Sequence, residues 1–273
     1  MSFDETSLSG ELLYHASQWL IFGVLLALLL LAVEIGFRTG LAVRDRLDDH
    51  AVSQVTAIET AVLGLLALLL AITFSMAVAR YEARRALVVK EANAVGTAAL
   101  RAQLLPEPAR SDVAALFREY VGIRIELSEA GIDVNRFQAA MVATERLQQA
   151  LWAQAVAAVR SESQSLGPAL LLASLNDVID VHSERLAARE NHVPEIVLRL
   201  ELLVAIFAVG LVGYGSGVGG RRNPISTTAL ALLLAAVVLL IVDLDRPRRG
   251  LIQVSPQPLI DLQRSLEGAA PAP

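Results

Sequence analysis

Asp177, Asp180 and Glu184 stand at i, i+3 and i+7, so a helix through them carries three carboxylates on one face. That spacing suits a divalent cation. The simpler reading is a solvated helix face that Arg185 and Arg189 neutralise, so no metal and no other cofactor is expected. "GSGVGG", Gly215 to Gly220, fits the dinucleotide pattern G-x-G-x-x-G, but it follows no strand. It reads as a small-residue hairpin between two apolar runs. Glu34 precedes Arg38 by one turn and reads either as an interfacial ion pair or as a group beside an ion path. Gly64, Ala67, Ala71 and Ser75 form a small-residue stripe. Such a stripe permits close helix packing, or lines a pore in which Leu68 and Ile72 form a dewetting constriction.

No nucleophile elbow, zinc-protease motif, P-loop or kinase set occurs. His15 sits in or beside the first apolar run, His50 lies in the outer loop expected over 36–59, and His182 and His192 share one helical region without a nucleophile beside them. The chain therefore reads as a non-enzyme. It has no cysteine, which excludes disulfides and thiolate chemistry. A net charge of −5 speaks against a nucleic-acid partner.

The elements that position these residues follow from hydropathy. Of 273 residues 55% are hydrophobic, and the mean hydropathy is +0.54, both in the membrane class. The acidic N-terminus (Asp4, Glu5, Glu11) lacks a basic leader, so the first apolar run is expected to be a retained span. Four runs are long enough to cross a bilayer as helices: about Leu12–Val33, Thr60–Ala79, Val197–Tyr214 and Ile225–Val242. Arginines after the second span (Arg80, Arg84, Arg85), before the third (Arg185, Arg189, Arg199) and after the fourth (Arg246, Arg248, Arg249) outnumber those in the other loops. The positive-inside bias then places both termini and the middle region in the cytoplasm.

The middle region reads as amphipathic helices. One starts at Pro108–Ser111, one runs from Asp133 to about Ser163, and one opens at Gly167–Pro168. The expected fold is all-α, with four transmembrane helices and a cytoplasmic helical bundle. The second span continues as a long cytoplasmic helix, with no Gly or Pro to break the join until Gly96. The domains expected are a first membrane half (1–79), the helical region (80–195), a second membrane half (196–245) and a tail (246–273) that ends in "GAAPAP".

"LLALLLAITFSMAVARYEARRALVVKEANAVGTAALRAQLLPEPAR", "SLNDVIDVHSERLAARENHVPEIV", "GYGSGVGGRR" and "DLDRPRRGLIQVSPQPL", in that order, resemble a bacterial bestrophin-like membrane protein family of unknown function. That family is itself distantly similar to the bestrophin ion channels. The resemblance implies a pentamer of four-span subunits around a central axis, with the second span lining the neck. It places the neck at Gly64, Leu68, Ile72 and Ser75. Arg80–Tyr81 stands where bestrophins have arginine and tryptophan, or Tyr81–Glu82 matches a tyrosine–aspartate pair of bacterial relatives. The sequence departs from bestrophins after the fourth span, where only Asp243 and Asp245 precede a basic run and no calcium clasp is implied.

Two functions fit. The first is an oligomeric ion channel passing small inorganic ions across the lipid bilayer, with Glu59 at the outer mouth and Arg80 and Glu82 at the inner one. The resemblance to bacterial bestrophins implies that cations are somewhat favoured. The second is a non-conducting scaffold or sensor whose cytoplasmic helices bind a partner.

Overall fold

The computed structural model describes residues 17–131, 133–161, 165–246 and 252–268. Residues 12–16 of the first predicted span, the acidic N-terminus, His15, Arg248, Arg249 and the "GAAPAP" tail after Gly268 lie outside the described residues. Every regular element described is helical: α1 (Gln18–Val43), α2 (Asp49–Ala102), α3 (Ala109–Glu129), α4 (Val134–Ser161), α5 (Leu166–Glu190), α6 (Glu195–Val218), α7 (Pro224–Asp245) and α8 (Gln257–Gly268). Four helical stretches are long and apolar enough to cross a membrane, as expected, and they lie in α1, α2, α6 and α7. The chain divides into two units, one built from residues up to Ala79 with His192–Arg246, the other from Arg80–Asn191 with the segment after Gln253.

In the first unit α1 packs along α6 through glycine. Gly36 and Gly40 of α1 face the backbone of Gly210 and Tyr214, and Gly213 and Gly217 of α6 face the backbone of Val33 and Phe37. A Cβ at Gly36 would stand 2.9 Å from the Tyr214 nitrogen, and one at Gly217 would stand 2.8 Å from the Leu41 nitrogen. Apolar packing against lipid gives helices little reason to associate, so close backbone approach through small residues supplies the contact. This corrects two expectations. Gly215–Val218 of "GSGVGG" form the last turn of α6 rather than a hairpin, and the turn proper begins at Gly219, with Gly220 at φ +64. The segment 36–59, read as an outer loop, is helical except for a short 3-10 turn (Arg44–Arg46) and the residues around Leu47. Its glycines serve packing and do not break the helix. His50 accordingly lies in the first turn of α2. Asn223 caps α7 by accepting from the Ser226 N–H over 3.3 Å, and Pro224 occupies the first helical position, where its missing N–H costs nothing.

In the second unit Val95, Ala98 and Ala102 of α2 join Phe117, Tyr120 and Val121 of α3, Leu147 and Leu151 of α4, and Leu171 and Leu175 of α5 in one core. Phe117, Leu151 and Leu171 are fully buried, each contributing about 1.5–3 kcal/mol of hydrophobic stabilisation. The helix starts predicted at Pro108, Asp133 and Gly167 fall within one or two residues of the observed ones. Asp133 caps α4 by accepting from the Arg136 N–H over 3.0 Å. The tail contains α8, which the sequence reading did not include; its Leu259 is buried against Val88 and Ala92.

Candidate functional site

Within the first unit, α2 has two different faces. Leu66, Leu70, Thr73 and Ala77 are buried, each three or four residues after the last. Gly64, Ala67, Leu68, Ala71, Ile72 and Ser75 are exposed on the other side. Leu68 is 57% and Ile72 51% exposed, and a Cβ at Gly64 would meet nothing within 4 Å. The four residues assigned to the neck therefore share one face, because 64, 68, 72 and 75 follow each other at helical spacing. The stripe is not engaged in packing within the described chain; close helix approach is carried by the glycines of α1 and α6 instead.

Glu59 is half-buried and turns toward α6, where its Oε2 lies 2.6 Å from the position of a Cβ on Gly215. In the second unit the Arg80 Nε donates to Asn191 Oδ1 over 3.3 Å, and Glu82 is exposed. Glu34 and Arg38 form the expected pair at 2.7 Å, joined by a residue that spacing did not indicate. Arg222 binds the other Glu34 oxygen and stacks over Phe37 at 4.9 Å.

Among the described residues no three His, Cys, Asp or Glu side chains are grouped so that they could hold a metal ion, those of the acidic face of α5 included. Asp177 and Asp180 are exposed, while Glu184 takes two bonds from Lys90 Nζ at 2.8 and 2.7 Å. Arg185 does not neutralise that face, contrary to expectation. It turns inward to Glu91, a fully buried carboxylate of α2 that the sequence reading passed over. Arg124 of α3 completes the cluster, its Nε donating to Glu91 Oε1 over 2.6 Å with both side chains buried. Burial pushes the Glu91 carboxyl up, but the charges and bonds of Arg124 and Arg185 outweigh it and hold Glu91 below the usual carboxylate range. Buried ion pairs form where the partners satisfy each other's remaining bonding groups, and here two helices supply cations to a third.

His182 stands beside this cluster. Burial, reinforced by the positive charge of Arg124, lowers its pKa to about 4, so it is neutral at pH 7. Tyr120 accepts from Gln148 Nε2 over 3.3 Å, and burial pushes its hydroxyl up to about 12. A cavity of about 70 Å3 opens between α2, α3, α4 and α5, with Val254 from the segment before α8 at its rim. The signal for this cluster was present as Glu91, Arg124 and Arg185 at inward helical positions, but their convergence depends on how the helices pack.

Comparison with known proteins agrees with this architecture. A crystal structure of a bacterial bestrophin homolog from Klebsiella pneumoniae carrying a tryptophan-to-alanine mutation matches with a TM-score of 0.69 at 14% identity, over 93% of this chain and 98% of that one. The same organism's homolog solved by Zn-SAD phasing matches with a TM-score of 0.64 at 13% identity, over 88% of this chain and 96% of that one. At such identities the likeness establishes a shared fold. No curated protein sequence matches. The model of the Bestrophin-like domain matches residues 20–259, so the chain belongs to the Bestrophin-like family.

Proposed function

We propose that the chain is the subunit of an oligomeric ion channel in a bacterial inner membrane, a pentamer by analogy with the bestrophins. The second span lines the pore, with Gly64, Leu68, Ile72 and Ser75 at the neck and Glu59, Arg80 and Glu82 toward the mouths. The second unit forms the cytoplasmic helical bundle, with both termini on that side, and cations are somewhat favoured. One observation carries the reading: the Gly64–Ser75 face of α2 is small, apolar and exposed in the single chain. A ring of such faces makes a narrow hydrophobic conduit that passes ions when wetted.

A scaffold without conduction is the second reading. It draws on Leu100, Leu104, Val142 and Leu166, which are exposed apolar residues of the helical unit and suit a partner as well as a sister subunit. The deciding experiment has two steps. Light scattering on detergent-solubilised protein, with the micelle mass subtracted, gives the subunit number. Ion flux into liposomes is then compared for the native chain and Ile72→Ala. A closed ring whose flux changes on substitution supports the channel. A monomer or dimer in several mild detergents, or a ring with no flux above empty liposomes, leaves the scaffold.

A further inference from the structure

The cavity in the second unit is lined by Arg84, Arg124, Arg185 and Arg189 together with His182 and Ser128, and no carboxylate lines it among the described residues. Glu91 lies behind it and is already engaged by Arg124 Nε and Arg185 Nη1. Arg124 is only 2% exposed, yet its Nη1 has no hydrogen-bond partner among the described residues. His182 Nδ1 is likewise buried without a partner among them. Leaving a charged donor such as Arg124 Nη1 unsatisfied in the interior costs more than leaving a neutral one, and with Nδ1 protonated the neutral His182 adds a second donor, so an acceptor at this cavity serves both. Arg185 Nη2, 3.4 Å from Ser128 Oγ, adds a third donor at the same wall.

We propose that this cavity binds a small oxyanion, with inorganic phosphate as the type. The anion accepts from Arg124 Nη1 and Arg185 Nη2, the charge-assisted contacts that planar guanidinium groups make best with oxyanions. His182 contributes Nδ1–H in the appropriate neutral tautomer. A water needs about 10–15 Å3 by the same measure of volume, so 70 Å3 admits an ion of several heavy atoms but not a nucleoside. Among the described residues the lining also includes Leu127 and Met141 but no aromatic ring on which a base would stack, which favours the free ion over a nucleotide. The site is separate from the exposed face of α2 assigned to conduction, and binding there does not depend on the chain being a channel.

The test uses the full chain in detergent, in a phosphate-free buffer of fixed ionic strength. Calorimetric titration with inorganic phosphate is expected to give one ion per chain. Phosphate at about a hundredfold excess over its dissociation constant should raise the unfolding midpoint by roughly 5–10 °C. Ser128→Asp places a carboxylate in reach of Arg185, and is expected to unfold no earlier than the native chain while losing the phosphate response. His182→Leu leaves the ion cluster intact and should weaken binding about threefold to tenfold. The proposal is overturned by an absence of phosphate heat and stabilisation, by equal stabilisation with chloride, or by undiminished binding in Ser128→Asp.

Discussion

Arg124 Nε and Glu91 Oε1 meet at 2.6 Å in the interior of the helical unit, linking the long second helix to α3. Glu91 is the shared acceptor of two arginines, so its removal leaves both guanidinium groups facing a low-dielectric interior. Glu91→Ala should destabilise the protein by about 3–5 kcal/mol, the usual cost of stripping one partner from a buried ion pair. Equilibrium unfolding in mixed detergent micelles measures it. A loss below about 1 kcal/mol, typical of an exposed pair, would mean that the cluster is solvated.

What the sequence reveals of this fold divides along a physical line. Spans, helix starts and the unbroken second helix were legible because they depend on composition and spacing along one element. The glycines of α6 misled because a glycine used for close approach looks, in isolation, like a glycine used for a turn. Gly215–Gly220 shows the ambiguity in one stretch: all but its final turn is helix. The stripe at Gly64–Ser75 was recognisable from spacing, but that it takes no part in packing within the described chain required the exposed face to be seen. The Glu91 cluster was not recognised because its three members lie on three helices, and only packing brings them together.

Glycines at Gly36 and Gly64 should respond differently to the same substitution. A methyl group on Gly36 would overlap the Gly210 carbonyl oxygen, and backbone cannot rotate aside as a side chain does. Gly36→Ala should therefore lower stability by about 1–3 kcal/mol, as overpacked cores do. Gly64→Ala meets nothing within 4 Å and should leave the stability of the isolated subunit within about 0.5 kcal/mol. Thermal unfolding of both variants decides, and equal losses would contradict the described α1–α6 contact.

Gly131 follows α3 with φ +54, the left-handed conformation that closes a helix. A Cβ there would stand no nearer than 3.8 Å to another atom, so the cost of Gly131→Ala is conformational and not steric crowding. It should amount to about 1–2 kcal/mol in unfolding free energy. Gly122, inside α3 and equally uncrowded, should be stabilised by alanine by roughly 0.5–1 kcal/mol, and the opposite signs make a paired test.

The pH dependence separates His182 from Glu91. With a folded pKa of about 4 against an ordinary value of 6.5, His182 is neutral in the native protein while the unfolded chain takes up a proton. Its contribution is present in full above pH 6.5 and is lost as the pH falls toward 4. Glu91 works in the lower window. Its carboxyl is held below 4.5, so the stabilisation it supplies is intact above that value and disappears only as the pH drops through the depressed folded pKa. Stability measured from pH 7 to pH 5 should therefore decline in the native chain and flatten in His182→Leu, while remaining unaffected by the titration of Glu91. A slope unchanged in His182→Leu would assign the decline to another group and contradict the neutral, buried state of His182.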